Sequence, residues 1–419
     1  MADKEVVEQL ARSLEAGELS RRRFVGRALR LGLGVPLIST ILDACTPAPS
    51  APSQSTTPAA APVKTDNKTI RVLSIDVVLQ DAYLKKFTED TGYTVQPITD
   101  TLTGVMVKML TSSGQYDAVN ENASYLAPLV QAGVIAPIPV DKIPNWQYAY
   151  PLWTDPNASG NKDGWPISQV FTDNTHKAFN SVPAFMNLEA LGYNSARAAS
   201  VTSYSVLFDP TYKGKVSIWN DALWTIGMTA NYLTKSGQMP APSKTLGDLT
   251  KPEVDQVIKF LKQKKADGQF RAIWTDYGQI VNLMASEEAW VSDGWNPAIE
   301  DAKRQSGLAL KYTNPAEGNR PWFHGTSLTK NSQNPDGAYV FANWLLGGWF
   351  GAQVAQQGWY STAKTVEQAM KPEDYKFWYA GGGRDSGSYD ERAANIAYWP
   401  GFPTEYDYYL NSWSSFLAS

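Results

Sequence analysis

The sequence predicts an α/β fold in which each sheet is mostly parallel and flanked by helices. Short β-branched runs alternate with stretches of helical spacing from residue 69 to residue 133, and this alternation is typical of parallel sheets covered on both faces. The chain has 419 residues, and the part that follows residue 67 is long enough for two domains. A surplus of 15 Trp and 21 Tyr residues favours an aromatic-lined cleft.

Local patterns place the first strands and helices in order along the chain. Strands are expected at 69–74, 93–98 and 116–119, and helices at 81–91, 105–112 and 124–132. Gly92 and Gly133 stand where the first and third helices should end, a position that glycine often occupies. In such a sheet the crossovers are right-handed and ligands bind at the carboxyl ends of the strands.

The first 44 residues resemble an export signal rather than a part of the folded protein. Arg21 and Arg22 precede an apolar run at 31–42, which at roughly 12 residues is too short to cross a bilayer. A basic stretch before such a run is typical of a signal peptide. The paired arginines resemble the twin-arginine motif, which directs the export of folded proteins.

A single cysteine and a tether follow the apolar run. Cys45 is the only cysteine of the chain, and the residues before it resemble a bacterial lipobox, in which the cysteine is lipidated. Asp43 departs from that pattern, so a cleaved signal with an unmodified cysteine is the alternative. Residues 45–67 are rich in Ala, Pro, Ser and Thr, and we expect a flexible tether between a lipid anchor and the folded part.

Composition argues against several classes of function. Residues 1–44 hold 7 basic and 6 acidic residues, which leaves 30 basic and 35 acidic residues and a net charge of −5, whereas nucleic-acid binding needs a basic patch. The two histidines, His176 and His324, form no Cys/His cluster, so no metal site is expected. The sequence contains neither a nucleophile elbow nor a phosphate loop. We therefore predict no cofactor and no enzyme, and we expect a monomer that reaches the membrane only through its anchor.

The order of several short motifs is similar to that of a known protein family. Residues 87–95 (FTEDTGYTV) resemble the opening of bacterial extracellular solute-binding proteins. Further motifs are similar, in order, to the spermidine/putrescine-binding branch of that family: YDAV at 116–119, LGYN at 191–194, FDPTYKGKV at 208–216 and NPDGAY at 334–339. The resemblance covers about residues 68–375 and is carried by the shared order rather than by any one motif.

This resemblance implies the two-lobed type II periplasmic-binding-protein (Venus flytrap) fold. Lobe 1 would hold residues 68–180 and 321–365, and lobe 2 residues 181–320 and 366–419. Such lobes close on a ligand by hinge motion. The implied function is a substrate-binding lipoprotein of an ABC importer, exported to the periplasm or the outer face of the cytoplasmic membrane, that delivers a small solute to a permease driven by an ATPase. A cell-surface carbohydrate- or receptor-binding protein without a transport role is the alternative.

The resemblance also implies a ligand site in the interlobe cleft. Matching the motifs one position at a time gives the candidate ligand residues Asp76, Tyr125, Asp221, Trp224, Asp293, Trp295, His324, Thr326 and Trp359. The polyamine binders carry a carboxylate at the place of Asp221, although an aspartate before a helix is also a good N-cap. For Asp293 the alternative is a residue of a turn, and for His324 it is a structural histidine.

These positions reproduce a polyamine site only in part. Trp224 stands where polyamine binders carry a second acid, and Thr326 replaces another. Asp76, Asp221 and Asp293 would still hold an amine, with tryptophan faces beside them. The neighbouring hydroxyl and imidazole groups suit a neutral or zwitterionic ligand equally well. We therefore predict a small polar organic solute that is polyamine-like in carrying an amine, with one amine rather than the several of a long polyamine.

Overall fold

The computed structural model describes residues 67–382 and 386–419. The predicted signal peptide with Arg21 and Arg22, the expected lipidation site Cys45 and all but the last residue of the tether lie outside these ranges. Within them, no helix combines the length and the apolar character that a membrane span requires.

Strands and helices alternate along the described chain. The strands are β1 (Thr69–Ser74), β2 (Thr94–Thr99), β3 (Ala118–Asn122), β4 (Ile135–Ala136), β5 (Ile138–Pro139), β6 (Ala178–Phe179), β7 (Val182–Asn194), β8 (Val216–Trp219), β9 (Phe270–Trp274), β10 (Val291–Gly294), β11 (Leu310–Tyr312), β12 (Arg320–Thr329) and β13 (Tyr360–Ser361). The helices are α1 (Asp81–Thr91), α2 (Leu102–Ser112), α3 (Leu126–Gln131), α4 (Pro151–Thr154), α5 (Ile167–Val170), α6 (Ala222–Lys235), α7 (Lys251–Ala266), α8 (Tyr277–Ala285), α9 (Asn296–Ser306), α10 (Pro335–Leu345), α11 (Gly348–Gln356), α12 (Val366–Ala369), α13 (Pro372–Trp378), α14 (Tyr389–Ala394) and α15 (Tyr406–Leu417).

The local patterns of the first half produce the expected elements. The three predicted strands correspond to β1, β2 and β3, and α1 ends at Gly92, whose φ of 71° is left-handed. α2 begins at Leu102, three residues before the predicted start, because the Thr101 side chain caps it by accepting from the Gly104 N–H at 3.1 Å. The third predicted helix begins as a 3-10 turn, Ala123–Tyr125, and continues as α3.

The residues fall into two compact units. Unit 1 holds the described residues up to Glu121, together with Pro128–Ile138 and Thr326–Phe341. Unit 2 holds Asn122–Ala127, Pro139–Gly325 and Ala342–Ser419. The lobe boundaries expected from the family resemblance stay a prediction.

Unit 1 is built on a parallel sheet. β1 lies between β2 and β3 and runs parallel to both. The last residues of β12 lie beside β3, and β4 pairs antiparallel with them. The apolar stripe of α1 buries Tyr83 and Phe87, and that of α2 buries Val105 and Met109, so both helices turn an apolar face to the core.

Unit 2 is organised around β7, a strand of 13 residues that are all buried. Strands covered on both faces have continuous apolar runs rather than alternation. β10, β11 and β13 pair with β7 antiparallel, whereas β8 runs parallel to both β10 and β9. Strands β8, β9 and β10 therefore have the expected parallel order, whereas the antiparallel pairing of β7 makes the sheet mixed. Gly192 of β7 allows close packing of α9, since a Cβ there would lie 2.2 Å from Ile299.

The C-terminal helix α15 packs into the core of unit 2. Tyr409, Trp413 and Phe416 are buried together with the apolar face of α7. The Tyr409 hydroxyl accepts a hydrogen bond from the backbone N–H of Leu249 at 2.7 Å, and the Trp413 indole donates to the side chain of Asn220 at 2.8 Å. The last residues of the chain therefore support the segment that joins β8 to α6.

Asp117, just before β3, is the main polar connection inside unit 1. Its carboxylate accepts two hydrogen bonds from the Arg71 guanidinium, at 2.8 and 2.9 Å, and one from the Arg71 N–H. It also accepts from the backbone N–H groups of Gln333 and Asn334 at 2.8 and 3.1 Å. Burial alone would raise the pKa of Asp117, but these donors outweigh burial and hold the pKa below its usual value.

Asp117→Asn should lower the free energy of unfolding by about 2 kcal/mol at pH 7, because hydrogen bonds to a buried charge are lost while the shape is kept. A depressed folded pKa stabilises the fold above the unfolded pKa of about 3.9 and ceases to do so as pH falls through the folded pKa. The difference between wild type and variant, measured by urea denaturation, should therefore shrink below about pH 4.

Glu89→Gln is the matched control, since the Lys85–Glu89 pair is exposed and 4.0 Å apart and such pairs contribute little. Equal unfolding free energies for Asp117→Asn and Glu89→Gln would contradict the role given to Asp117.

Candidate functional site

The predicted ligand residues are distributed over both units. Asp76 and Thr326 belong to unit 1, and the others belong to unit 2: Tyr125, Asp221, Trp224, Asp293, Trp295, His324 and Trp359. Asp76 is exposed in a short 3-10 turn after β1. Thr326 is fully buried, and its hydroxyl accepts from the Asn120 amide at 3.1 Å. The ligand contacts expected of these two residues stay predictions.

A cluster of tryptophans lies at adjacent strand ends in unit 2. Trp219 ends β8 and Trp274 ends β9, and their rings stack at 5.5 Å. Trp295, which precedes α9, packs edge-on against both at 4.9 and 5.0 Å, and Trp224 of α6 lies 6.1 Å from Trp219. The sequence analysis did not select Trp219, although its place directly before a predicted helix start was a usable signal. These four residues are called the tryptophan cluster.

Asp293 is the buried acid of this cluster. It lies on β10 beside β7 with no exposed surface, and its Oδ2 accepts from the Trp224 indole at 2.8 Å. The other oxygen, Oδ1, accepts no hydrogen bond of good geometry among the described residues. Burial raises the pKa of Asp293 to about 7, against the opposing effect of the Trp224 hydrogen bond. Asp293 therefore changes its charge near neutral pH.

Asp221 caps the helix that carries Trp224. Its carboxylate accepts from the Trp224 backbone N–H at 2.7 Å, and its own backbone is extended, as an N-cap requires. Asp221 is therefore the N-cap of α6, which was the alternative to ligand binding for this residue. A capping carboxylate still has further lone pairs that can accept hydrogen bonds from a ligand. Ligand contact by Asp221 therefore stays a prediction.

Two buried charged residues that the sequence analysis missed adjoin these groups. Arg320, the first residue of β12, places its guanidinium carbon 4.6 Å from the centroid of the Trp224 ring. Glu189 lies fully buried in β7 and accepts from the Trp322 indole. Burial raises the pKa of Glu189 to about 8, with the Trp322 hydrogen bond and the charge of Arg320 opposing it. A charged residue inside a largely apolar strand was the available signal for Glu189.

His324 and Trp359 lie beside a shared aromatic neighbour. Both contact Trp322 edge-on, at 5.5 and 5.2 Å between ring centroids, and His324 also stacks on Phe185 at 5.1 Å. Burial lowers the pKa of His324 to about 3, so its imidazole is neutral at pH 7 and able both to donate and to accept. Its Nε2 lies 3.4 Å from the Asn122 amide nitrogen.

Tyr125 contacts the C-terminal segment. Its ring lies 6.4 Å from that of Phe402, which stacks on Tyr406 at 4.3 Å. Burial raises the pKa of Tyr406, and the negative charge of Asp221 adds to this effect. The C-terminal segment therefore reaches the start of α6.

Of the predicted ligand residues, Asp221, Trp224, Asp293 and Trp295 are the ones that the structure brings together, in and around the tryptophan cluster.

Unit 2 also contains a cavity that is separate from the predicted ligand residues. A cavity of about 470 Å³ is lined by residues of the segment 156–176, including His176, and none of the predicted ligand residues lines it.

In the ranges that the structure describes, no group of three or more His, Cys, Asp or Glu side chains is placed to hold a metal ion.

Comparison with known proteins identifies relatives of this chain. A model of the family described as "Bacterial extracellular solute-binding protein" matches residues 82–378. The putrescine-binding periplasmic protein SpuD of Pseudomonas aeruginosa is 24% identical over 297 residues, which cover 67% of this chain and 74% of SpuD. The spermidine/putrescine-binding periplasmic protein of Escherichia coli is 25% identical over 313 residues, covering 74% of this chain and 81% of the relative.

The fold is also found in solved structures. A putative spermidine/putrescine ABC transporter from Listeria monocytogenes has a TM-score of 0.65 and 19% identity, over 84% of this chain and 99% of that one. At this identity the likeness concerns the fold alone. It confirms the type II periplasmic-binding-protein fold expected from the sequence.

The raised pKa values of Asp293 and Glu189 predict a pH-dependent stability. Between the ordinary carboxyl pKa of about 4 and the folded values, unfolding releases protons, so the free energy of unfolding should fall as pH rises. Asp293→Asn should remove the part of this fall that ends near pH 7, and Glu189→Gln the part that extends to about pH 8. Urea denaturation between pH 4 and pH 8 measures both effects.

Asp267→Asn, at an exposed aspartate of unit 2, is the control and should keep the wild-type pH dependence. If Asp293→Asn shows the same slope as wild type, the carboxyl of Asp293 is not held in the buried, desolvated state described above.

Proposed function

The chain belongs to the bacterial extracellular solute-binding protein family, and on that premise we propose that it binds a small polar organic solute outside the cytoplasm and delivers it to the permease of an ABC importer. One observation carries the proposal: the family match spans the tryptophan cluster and the Trp224–Asp293 hydrogen bond at its centre. Small-molecule sites combine apolar and aromatic walls with a few convergent polar groups, and this cluster has that composition.

The polyamine-like character of the ligand is proposed from the relatives. Their names describe putrescine and spermidine binding, and Asp221 and Asp293 offer carboxylates to one ammonium group. Each tryptophan face beside a cation contributes about 0.5–2 kcal/mol. Because Trp224 replaces an acid and its indole N–H is already bound to Asp293, we propose a ligand with a single amine.

Transport is favoured over the other functions considered. The named relatives are binding proteins, and we propose no catalysis for this chain. The alternative of a carbohydrate- or receptor-binding surface protein gains no support from the relatives. A permease with its ATPase is the proposed partner, and the protein is proposed to act as a monomer.

Export and anchoring are proposed from the sequence alone. Arg21 and Arg22 would direct the chain to the twin-arginine pathway, and Cys45 would carry the lipid that holds it at the outer face of the membrane. The segment 45–67 would then separate the folded units from the lipid surface.

A thermal-shift screen tests the binding function. The full chain is heated with amines, amino acids, betaines, sugars and organic anions in turn, and a ligand at 100 times its dissociation constant should stabilise the fold by about 2.7 kcal/mol. For the best ligand, Asp221→Asn should weaken binding about tenfold or more, because a charge-assisted contact is lost. The melting temperature without ligand should change little, since asparagine is also a good N-cap.

Asp276→Asn is the matched control, because Asp276 caps α8 through the Gln279 N–H at 2.9 Å and is exposed. It should leave affinity unchanged. If calorimetry gives equal affinities for Asp221→Asn and Asp276→Asn, Asp221 is only a helix cap.

Cys45→Ser should release the protein from membranes. A lipid on Cys45 is the sole membrane attachment proposed, and one substitution removes the modified sulfur. After cell fractionation, an immunoblot should find wild type with the membranes and the variant in the soluble fraction. Ser53→Ala, in the same tether, should behave as wild type. A variant that still sediments with membranes would rule out lipidation at Cys45 as the anchor.

A further inference from the structure

The guanidinium of Arg320 is buried without a carboxylate partner among the described residues. The residue is 6% exposed, and its polar neighbour is the hydroxyl of Tyr398. Its Nε is fully enclosed and has no acceptor. Removing a charge from water is costly unless hydrogen bonds or an opposite charge compensate. A buried guanidinium whose Nε has no acceptor, and which has no carboxylate partner among the described residues, therefore indicates an acceptor that is not part of the protein.

Arg320 also covers an aromatic face that the sequence analysis assigned to a ligand cation. Its guanidinium carbon lies 4.6 Å from the centroid of the Trp224 ring, and the indole N–H of that ring is already used by Asp293. A cation of the protein itself therefore makes the cation–π contact. An ammonium group of a ligand could stack on the same face of Trp224 only by displacing the guanidinium of Arg320.

A buried tyrosine lies close to this guanidinium. Tyr398 is 4% exposed, and its hydroxyl is enclosed with Arg320 as its polar neighbour. The hydroxyl lies against α6, where a Cβ at Gly227 would be 2.4 Å from it. Gly227 follows Trp224 by three residues, which is one turn of the same helical face. Burial raises the pKa of Tyr398 to about 12, and the charge of Arg320 opposes this rise, so the two groups are electrostatic neighbours.

Two buried arginines contribute fixed positive charge beside the acids of this region. The pKa values of Glu189 and Asp293 are raised to about 8 and 7, so neither acid is fully ionised at pH 7. Arginine side chains stay charged, and Arg320 and the fully buried Arg392 both act on Glu189. The region therefore attracts an anion more strongly than a second ammonium group.

We propose that Arg320 and Tyr398 bind a carboxylate of the solute, so that the ligand is an amino acid or a similar zwitterion rather than a diamine. The planar fork of arginine matches a carboxylate with two parallel hydrogen bonds, and the tyrosine hydroxyl donates a third. The amine of the same molecule is left to Asp221 and Asp293. This inference rests on the proposed binding function and names the substrate class of that site.

The first experiment compares ligand classes on the full chain by thermal shift, followed by calorimetry of those that respond. The matched pair γ-aminobutyrate and putrescine share a four-carbon chain and one amine, and they differ in a carboxylate against a second amine at the other end. α-Amino acids and betaines extend the carboxylate class, and spermidine extends the amine class. We expect responses from the carboxylate class and none from the diamines.

The second experiment uses variants with the carboxylate ligand that responds best. Arg320→Gln should weaken its binding by at least about 30-fold, because the solute carboxylate would lose its buried partner. Arg320→Lys keeps the charge and loses the fork, so its affinity should lie between those of wild type and Arg320→Gln. Tyr398→Phe keeps the ring and removes only the hydroxyl, and should weaken binding about three- to tenfold.

Arg271→Gln is the matched control, because Arg271 forms an exposed pair with Glu288 in the same unit; it should bind as wild type does. If Arg320→Gln does not fold, as judged by circular dichroism, Tyr398→Phe with the ligand classes decides the question. Tight putrescine binding, or unchanged carboxylate affinity in Arg320→Gln and Tyr398→Phe, would overturn this inference and leave the binding function intact. Silence from every class would overturn both.

Discussion

The cost of burying the Asp293 carboxylate constrains the whole candidate site. A carboxylate without water needs donors, and the indole of Trp224 supplies one at 2.8 Å. That indole is held in place because Asp221 caps the first turn of α6 through the Trp224 N–H. One face of the ring is then covered by Arg320. The start of α6, the end of β10 and the start of β12 are thus fixed relative to one another within unit 2.

The C-terminal segment completes this buried region, although the family match ends at residue 378. Arg392 donates to the Tyr360 hydroxyl at 3.0 Å and to the carbonyl of Leu188 in β7. Tyr398 lies against α6, and Phe402 contacts Tyr125. A segment beyond the matched range therefore provides both charge and surface near the predicted ligand residues.

The sequence predicted the parallel core and a group of candidate residues that lie together in unit 2, and it gave no indication of their buried neighbours for identifiable reasons. Strands β1, β2 and β3 and the glycine after α1 follow from local periodicity and chain conformation. Asp221, Trp224 and Asp293 were selected through motif positions, and they do lie together. Arg320 and Glu189 were missed because a single charged residue does not reveal which groups folding brings beside it. Tyr398 was missed because nothing local distinguishes it among the tyrosines of the chain.

The sequence by itself determined the alternation of strands and helices, the helix caps and the family, because these depend on residues a few positions apart or on the order of short motifs. Only the tertiary structure decided which groups meet. Trp224 and Asp293 are 69 residues apart in the chain, and Arg392 and Leu188 are 204 apart. It also decided the charge state of the buried acids, since a pKa depends on the loss of water and on every neighbour that folding brings close.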